Sequence, residues 1–418
     1  MTSVTIEKTK PFSKRKPNLA DARGAGHDML RLVNRALVLN VLSERQPISR
    51  ADLAKITGLN KATVSTIAAE LVREKFVVEE DGAGKTTPIG GKPPTPLRIN
   101  SGRYGIFGLD IRAEETILAL SDFNNKIVAR TSFETGAEAA SFLKKIGKEI
   151  ARLRQQHEDF IEIAGIGVSL PGIVDHHRGT FLASVVLPWR DVPIVELLKE
   201  ETGFDVAIDN SARCGALAEI WHSKAAYANV RNLLYVSVST GLACGVVIEG
   251  GLYRGVSDTA GQFGHIPINL DGPECRCGLR GCWDLYASDK ATIERYQSLR
   301  NETGKRAGNA PTMRKIIELV EAGDTRAAAA VSETARYLGI GITGLLHGLD
   351  PELVVIGGEI TKAWGLIEPI IAAETRRSLL SPRTLTIPIR RATFEVRPSL
   401  KGAFTLILND LLSVPSIN

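Results

Sequence analysis

The residues best able to do chemistry stand in one stretch, Gly261 to Ser288, which reads GQFGHIPINLDGPECRCGLRGCWDLYAS. His265, Cys275, Cys277 and Cys282 fall within eighteen residues of it, in the order His, nine residues, Cys-x-Cys, four residues, Cys. Three thiolates and one imidazole form a closed tetrahedral donor set for zinc, and Gly278 and Gly281 let the backbone turn those ligands inward. The competing reading is ordinary buried cysteines or a disulfide. Only Cys214 and Cys244 remain as further cysteines, both far from the cluster in sequence, so the spacing favours a structural zinc site. An ion held by four protein ligands has no open position for catalysis and is expected to shape a loop.

The chain around this loop has 418 residues, 44% of them hydrophobic, enough for two to four domains with real cores. No uninterrupted apolar run reaches the length of a membrane span, and MTSVTIEKTKPFSKRKP lacks the apolar centre of a signal peptide. These features predict a cytoplasmic protein with no membrane partner, a setting that favours a metal over a disulfide. Charge is uneven: residues 1–100 hold 17 Lys+Arg against 10 Asp+Glu, whereas the rest hold 35 against 37. A basic front on a slightly acidic body suits a front that meets a polyanion.

Residues 1–26, rich in Lys, Arg, Pro and Gly, predict a disordered basic arm. Helical periodicity begins at His27, with Leu30, Val33, Leu37, Leu39 and Leu42 on one side of a helix that ends near Gln46-Pro47. Ser49 caps a second helix, SRADLAKITG, and Gly58 supplies its turn. A third helix follows from Asn60, NKATVSTIAAELVREKF, with Val64, Ile67, Ala68 and Leu71 inward. This is a helix-turn-helix whose recognition helix offers Asn60, Lys61, Thr63, Ser65 and Thr66 to DNA. FVVEE and LRIN then pair across DGAGKTTPIGGKPPTP as a β-hairpin wing, placing Lys85 and Lys92 against a phosphate or the minor groove. The segment 27–101 therefore reads as a winged helix-turn-helix, mostly α with a β wing. Three small helices that touch only protein are the bland alternative.

Beyond Ser101 the pattern turns to strands. Gly105–Ile111, Thr116–Ser121 and Ile127–Phe133 form a meander, followed by a helix at Glu138–Gln156, a strand at Ile163–Leu170, a helix around Ile194–Glu201, a strand at Val206–Ile208 and a helix at Ser211–Ser223. The arrangement repeats with strands at Leu233–Val238, Ala243–Glu249 and Gly251–Tyr253, a long helix at Thr325–Leu349, the strand LVVIGG and a last helix at Gly402–Leu412. Two such copies predict two α/β lobes with a ligand cleft between them. Lobe one is expected over about 102–228 plus helix 402–412, and lobe two over about 229–400 with the zinc loop at 261–288.

The chain resembles the ROK family of repressors and sugar kinases from about residue 29 to its end. The resemblance rests on the GQFGHIPINLDGPECRCGLRGCWDLYAS stretch, on GVSLPGIVD at Gly167–Asp175, NSARCGALAE at Asn210–Glu219, STGLACGVVIEGGLYRG at Ser239–Gly255 and VVIGGE at Val354–Glu359. It implies an actin-like, sugar-kinase-like (RNase H-like) two-lobed body, a homodimer or homotetramer, and a sugar site made by Asn210, Ser211, Gln262, His265 and Asp284. The kinase branch carries a catalytic Asp where this chain has Ser211, and a hydroxyl cannot take a proton near neutral pH. Asp209 is a possible but misdirected substitute. The phosphate-binding Asp-x-Gly-Gly-Thr of the kinases is here Asp110-Ile111-Arg112-Ala113-Glu114, in which Glu114 opposes phosphate and Arg112 is placed to offset it. The second-lobe loop Ser239–Cys244 and Gly357-Gly358-Glu359 also have fewer glycines than their kinase counterparts.

These departures favour a non-enzyme: a regulator, most simply a repressor of sugar-utilisation genes, whose affinity for a double-stranded operator changes when a sugar or sugar derivative enters the cleft. Two alternatives stay open, a sugar kinase with an attached DNA-binding domain and a regulator controlled by a partner protein. The cleft could also be a relic without a ligand.

Overall fold

The computed structural model describes residues 25–80, 95–158, 160, 162–222, 227, 230–301, 310–377, 386–394 and 397–412. The expected basic arm, apart from its last two residues, lies outside this set. So do Lys85 and Lys92 of the wing.

Three helices open the described chain, α1 (Ala25–Arg45), α2 (Arg50–Thr57) and α3 (Lys61–Arg73). Ser49 caps α2 by accepting from the Asp52 amide, Gly58 ends it at φ 69°, and Asn60 caps α3 by accepting from the Thr63 amide. A short strand β1 (Ile48–Ser49), unforeseen in the sequence, joins the wing strands β2 (Val77–Glu79) and β3 (Pro96–Ile99) in the order β1-β3-β2. Val64, Ile67, Ala68 and Leu71 are buried as their spacing predicts. The expected face of α1 is corrected in part. Leu30 is 56% exposed, and among the described α1 side chains the buried ones are Ala36, Val38, Leu39, Val41 and Leu42.

The body holds two five-stranded mixed sheets of matching order. The first uses β4 (Tyr104–Ile111), β5 (Glu115–Ser121), β6 (Ile127–Glu134), β7 (Glu162–Leu170) and β11 (Val206–Asn210), in the order β11-β7-β4-β5-β6. A small sheet absent from the sequence reading, β8 (Ile173–Asp175), β9 (Thr180–Ala183) and β10 (Arg190–Val192), stands between β7 and β11 in the chain. The second large sheet uses β12 (Leu233–Val238), β13 (Leu242–Ile248), β14 (Gly251–Tyr253), β15 (Leu353–Gly357) and β16 (Ile389–Arg391), ordered β14-β13-β12-β15-β16. In each sheet a meander pairs antiparallel on one side and later strands join in parallel on the other.

The helices of the first lobe are α4 (Ala139–Gln156), α5 (Ile194–Thr202) and α6 (Ser211–His222). Those of the second are α7 (Asp284–Ala287), α8 (Asp289–Asn301), α9 (Met313–Glu321), α10 (Thr325–Leu349) and α11 (Trp364–Thr375). The last, α12 (Pro398–Leu412), starts four residues before its expected position, since Pro398 is a favoured first-turn residue. It returns across β4 and β7 and beside α6.

The winged helix-turn-helix segment is welded to the body. One buried cluster runs from Val38, Leu53 and Leu71 through Ile99 into Tyr104, Ile106, Phe404 and Leu412. Phe76, Tyr104 and Phe123 meet with ring centroids 5.3–5.4 Å apart, and Tyr104 Oη donates to the Glu74 carbonyl at 3.2 Å. Among the described residues, no helix is long and apolar enough to cross a membrane.

Candidate functional site

On α3 the groups expected to face DNA are placed unequally. Lys61, Ser65 and Thr66 are exposed, and Thr63 is half-buried. Asn60 spends its amide oxygen on the Thr63 N–H at 2.7 Å, which leaves its Nδ2 hydrogens for a phosphate. The Thr66 hydroxyl donates back to the Ala62 carbonyl at 3.0 Å and keeps its acceptor lone pairs.

Between the two large sheets lies a cleft of ≈ 790 Å³, and Asn210, Ser211, Gln262, His265 and Asp284 all line it. Distant parts of the chain gather them: β11 delivers Asn210 and α6 starts at Ser211, while the loop after β14 and the short α7 deliver the other three. Asn210 holds its own turn, donating to the Gly172 carbonyl at 2.7 Å and accepting from the Ala212 amide at 2.8 Å. Asp284 accepts from the Leu242 amide at 2.5 Å. Burial raises its carboxyl above the ordinary value, and that amide works against the rise.

The four ligand atoms of His265, Cys275, Cys277 and Cys282 lie within 4.8 Å of one another. Cys275 Sγ is 3.5 Å from His265 Nδ1, and Cys277 Sγ is 3.6 Å from Cys282 Sγ. A tetrahedral ion with metal–sulfur bonds of about 2.3 Å puts its sulfurs about 3.8 Å apart, so the edges fit one metal ion. Burial, together with the neighbouring Cys277 and Cys275, pushes the Cys282 thiol up to about 12, because crowded thiolates repel unless a cation sits among them. The turn is fixed by Gly281, at φ +62°, where a Cβ would stand 1.6 Å from the Asn269 carbonyl. Trp283, 1% exposed, anchors the loop by donating from Nε1 to the Tyr337 carbonyl on α10 at 2.7 Å. Arg276 ties it to the other lobe, donating to the Val185 carbonyl at 3.1 Å. His265 and Cys277 belong to the cluster and to the cleft wall at once.

The groups a phosphoryl transfer would use are otherwise engaged. Ser211, the residue that the resemblance sets against the kinase Asp, begins α6 at the cleft. Asp209 is fully buried, and its oxygens are 2.5 Å from Arg213 Nε and 2.8 Å from Arg254 Nη2, so it is a structural anion and not a substitute base. Asp110 accepts from Ser399 Oγ at 2.7 Å, Arg112 Nε at 3.0 Å and Arg397 Nη1 at 3.2 Å. Arg112 thus turns to Asp110 and not to the exposed Glu114, which corrects the offset expected from the sequence.

Among the cleft residues that escaped the sequence reading are Asp289, Arg397 and Ser399. Asp289 follows directly on the YAS that closes the His-Cys stretch and carried a signal of position. Arg397 and Ser399 lie more than 280 residues from Asp110, and nothing local marks them.

The ROK family model matches residues 106–410, and the MarR family model matches residues 27–85. The chain is 31% identical over 414 residues to a protein named xylose repressor from Caldicellulosiruptor bescii, covering 93% of this chain and 98% of that one. It is 33% identical over 230 residues to a glucokinase from Halalkalibacterium halodurans, covering 52% of this chain and 68% of that one. Among solved structures, a ROK family transcriptional regulator, described as a homologue of the E. coli MLC protein, superposes with a TM-score of 0.80 at 24% identity, covering 93% of this chain and 98% of that one.

Proposed function

Because this chain belongs to the ROK family and carries a winged helix-turn-helix ahead of the family's α/β body, we propose that it is a transcriptional repressor of sugar-utilisation genes whose operator affinity is set by a sugar in the interlobe cleft. The observation that carries this reading is the course of α12. Its first residues, with Arg397 before them, line the cleft. Its last residue, Leu412, presents its carbonyl to Asn40 Nδ2 on α1 at 2.6 Å. Fifteen helical residues span about 22 Å as a stiff rod, so a lobe movement at one end is delivered to the DNA-binding helices at the other.

In this reading Asn210, Ser211, Gln262, His265 and Asp284 hold the sugar. The side chains of Ser211 and Gln262 make no hydrogen bond with another described residue, so their polar atoms are available to a ligand. Zinc is the metal that a His-Cys₃ set selects. His265, Cys275, Cys277 and Cys282 would hold it, and when bound it cross-links the loop electrostatically without an open coordination position. The chain's own work is to keep Gln262 and Asp284 on one rigid wall.

Ser211, the engaged Asp209 and the engaged Asp110 favour a sensor over a kinase. A homodimer or homotetramer would set two copies of α3 in successive major grooves of a palindromic operator. Lys61, Ser65 and Thr66 would meet DNA, with Asn60 and Thr63 beside them and Lys85 and Lys92 on the wing.

Footprinting of DNA upstream of the protein's own gene, with and without a panel of pentoses and hexoses at fixed salt, tests the proposal. One sugar is expected to change the protected region. Lys61→Ala should weaken binding across sequences and lower the salt slope by about one. Protection that no sugar alters would reject the sugar-controlled reading, and absence of any protected site would reject the repressor.

A further inference from the structure

Asp289, at the start of α8, lines the same cleft as the five sugar-site residues. Its backbone N–H donates to the Ser239 carbonyl at 2.8 Å, which sets it at the far end of the Ser239–Leu242 loop from Asp284, whose carboxylate takes the Leu242 amide. The residue as a whole is half-buried, yet its Oδ1 is fully buried and has no hydrogen-bond partner. A buried carboxylate oxygen without a donor costs free energy. The cations nearby do not relieve it: Lys362 is paired with Glu359 at 2.6 Å and Arg112 with Asp110 at 3.0 Å. Burial and the neighbouring Glu359 push this carboxyl up to about 7 against the pull of Arg112.

The two walls of the cleft differ in charge. Arg112, Arg130, Arg190 and Arg397 line one side, and Asp284, Asp289 and Glu359 line the second-lobe side together with Arg314 and Lys362, which are paired with Glu318 and Glu359. A phosphorylated tail at this end would face Asp289 and Glu359. An ammonium group would face the arginines. An uncharged polyol suits both walls, since its hydroxyl oxygens accept from guanidinium N–H groups and its hydroxyl hydrogens donate to carboxylates. The ≈ 790 Å³ of the cleft is several times the volume of one pyranose.

We propose that Asp289 forms a second binding point of the cleft, taking the hydroxyls of a second sugar ring, so that the effector is an uncharged disaccharide spanning from Gln262 and His265 to Asp289. This rests on the reading of the cleft as a sugar site.

Isothermal titration of the full-length protein with xylose, glucose and N-acetylglucosamine, and with the β-linked disaccharide of each, tests it. One disaccharide binds at least about tenfold more tightly than its own monosaccharide. Asp289→Ala removes that advantage and leaves the monosaccharide affinity within about twofold. Asp289→Asn, nearly isosteric and without the buried charge, has a ligand-free unfolding midpoint no lower than that of the parent, which separates loss of a contact from loss of fold. Should Asp289→Ala not fold, a reduced disaccharide advantage in Asp289→Asn carries the same test. Equal affinity of mono- and disaccharide for the parent protein, or an equal effect of Asp289→Ala on both, overturns the second binding point and spares the sugar site. Binding of no sugar at all overturns both.

Discussion

Serine in place of Cys277 is expected to empty the metal cluster and abolish the response to sugar. Cys277 is exposed, so its substitution opens no cavity in the core, and the effect reports on the cluster itself. Oxygen of a neutral serine is a poor ligand beside thiolates. Losing one of four donors should cost metal affinity at least the factor of about 100 seen when outer partners of a metal site are removed. Without the ion, the crowded thiols of Cys275 and Cys282 have no cation to hold them together, and the loop is left to its Trp283 and Arg276 ties and its backbone hydrogen bonds. His265 and Cys277 line the cleft as well as the cluster. Sugar affinity is therefore expected to fall at least about tenfold. Metal content by mass spectrometry and sugar affinity by titration, on protein of unaltered circular dichroism, decide it. A zinc-free variant that binds sugar like the parent would contradict the proposed link between loop and pocket.

The largest loss of stability is expected from Asp209→Ala. Asp209 is 0% exposed and Arg213 2%, and the pair is joined by Arg254 from the second lobe. Removing the carboxylate strands buried cations, a change that costs about 3–5 kcal/mol. It also frees the turn that carries Asn210 and Ser211 into the cleft, so sugar binding should weaken together with stability. The pH dependence has a fixed sign. Burial alone would raise the Asp209 carboxyl, but Arg254 and Arg213 outweigh it, with His176 and the Asn210 amide behind them, and the value is lowered. A carboxylate lowered on folding stabilises fully above its unfolded value of about 3.9 and loses that contribution as pH falls through the folded value. Denaturant midpoints measured from pH 7 downwards should show an acid-labile component below about pH 4 in the parent that is missing in Asp209→Asn. An unchanged midpoint at pH 7 in Asp209→Ala would show that the cluster is not what holds the lobes.

The winged helix was legible because its devices are local. Ser49, Gly58 and Asn60 act within four residues of themselves, and the inward stripe of α3 follows from helical period alone. The metal cluster was legible for the same reason, its ligands falling within eighteen residues. The exposed Leu30 was not, because periodicity gives a face but not whether anything covers it. The small sheet β8–β10 consists of strands of three or four residues, too short for alternation to show. The cleft was half legible. The five residues placed there by family resemblance do line it, while Asp289, Arg397 and Ser399 enter through tertiary contacts that no local pattern encodes. Arg112 shows the limit most plainly. Its charge could be read, but its partner, Asp110 two residues back, depends on Arg397 and Ser399 arriving from the other end of the chain.

The central claim is that ligand in the cleft changes operator affinity through α12. The most direct measurement is fluorescence anisotropy of an operator duplex titrated with the full-length protein, with and without saturating sugar, in the parent and in Asn40→Ala. Removing the Asn40 amide deletes the hydrogen bond to the Leu412 carbonyl at 2.6 Å and touches neither the cleft nor the DNA-facing side of α3. In the parent, sugar should shift operator affinity by about 5- to 150-fold, the usual range for coupled sites. In Asn40→Ala that shift should shrink several-fold while sugar affinity measured without DNA stays put. An undiminished shift in Asn40→Ala would remove α12 from the mechanism, and no shift in the parent would contradict the account at its root.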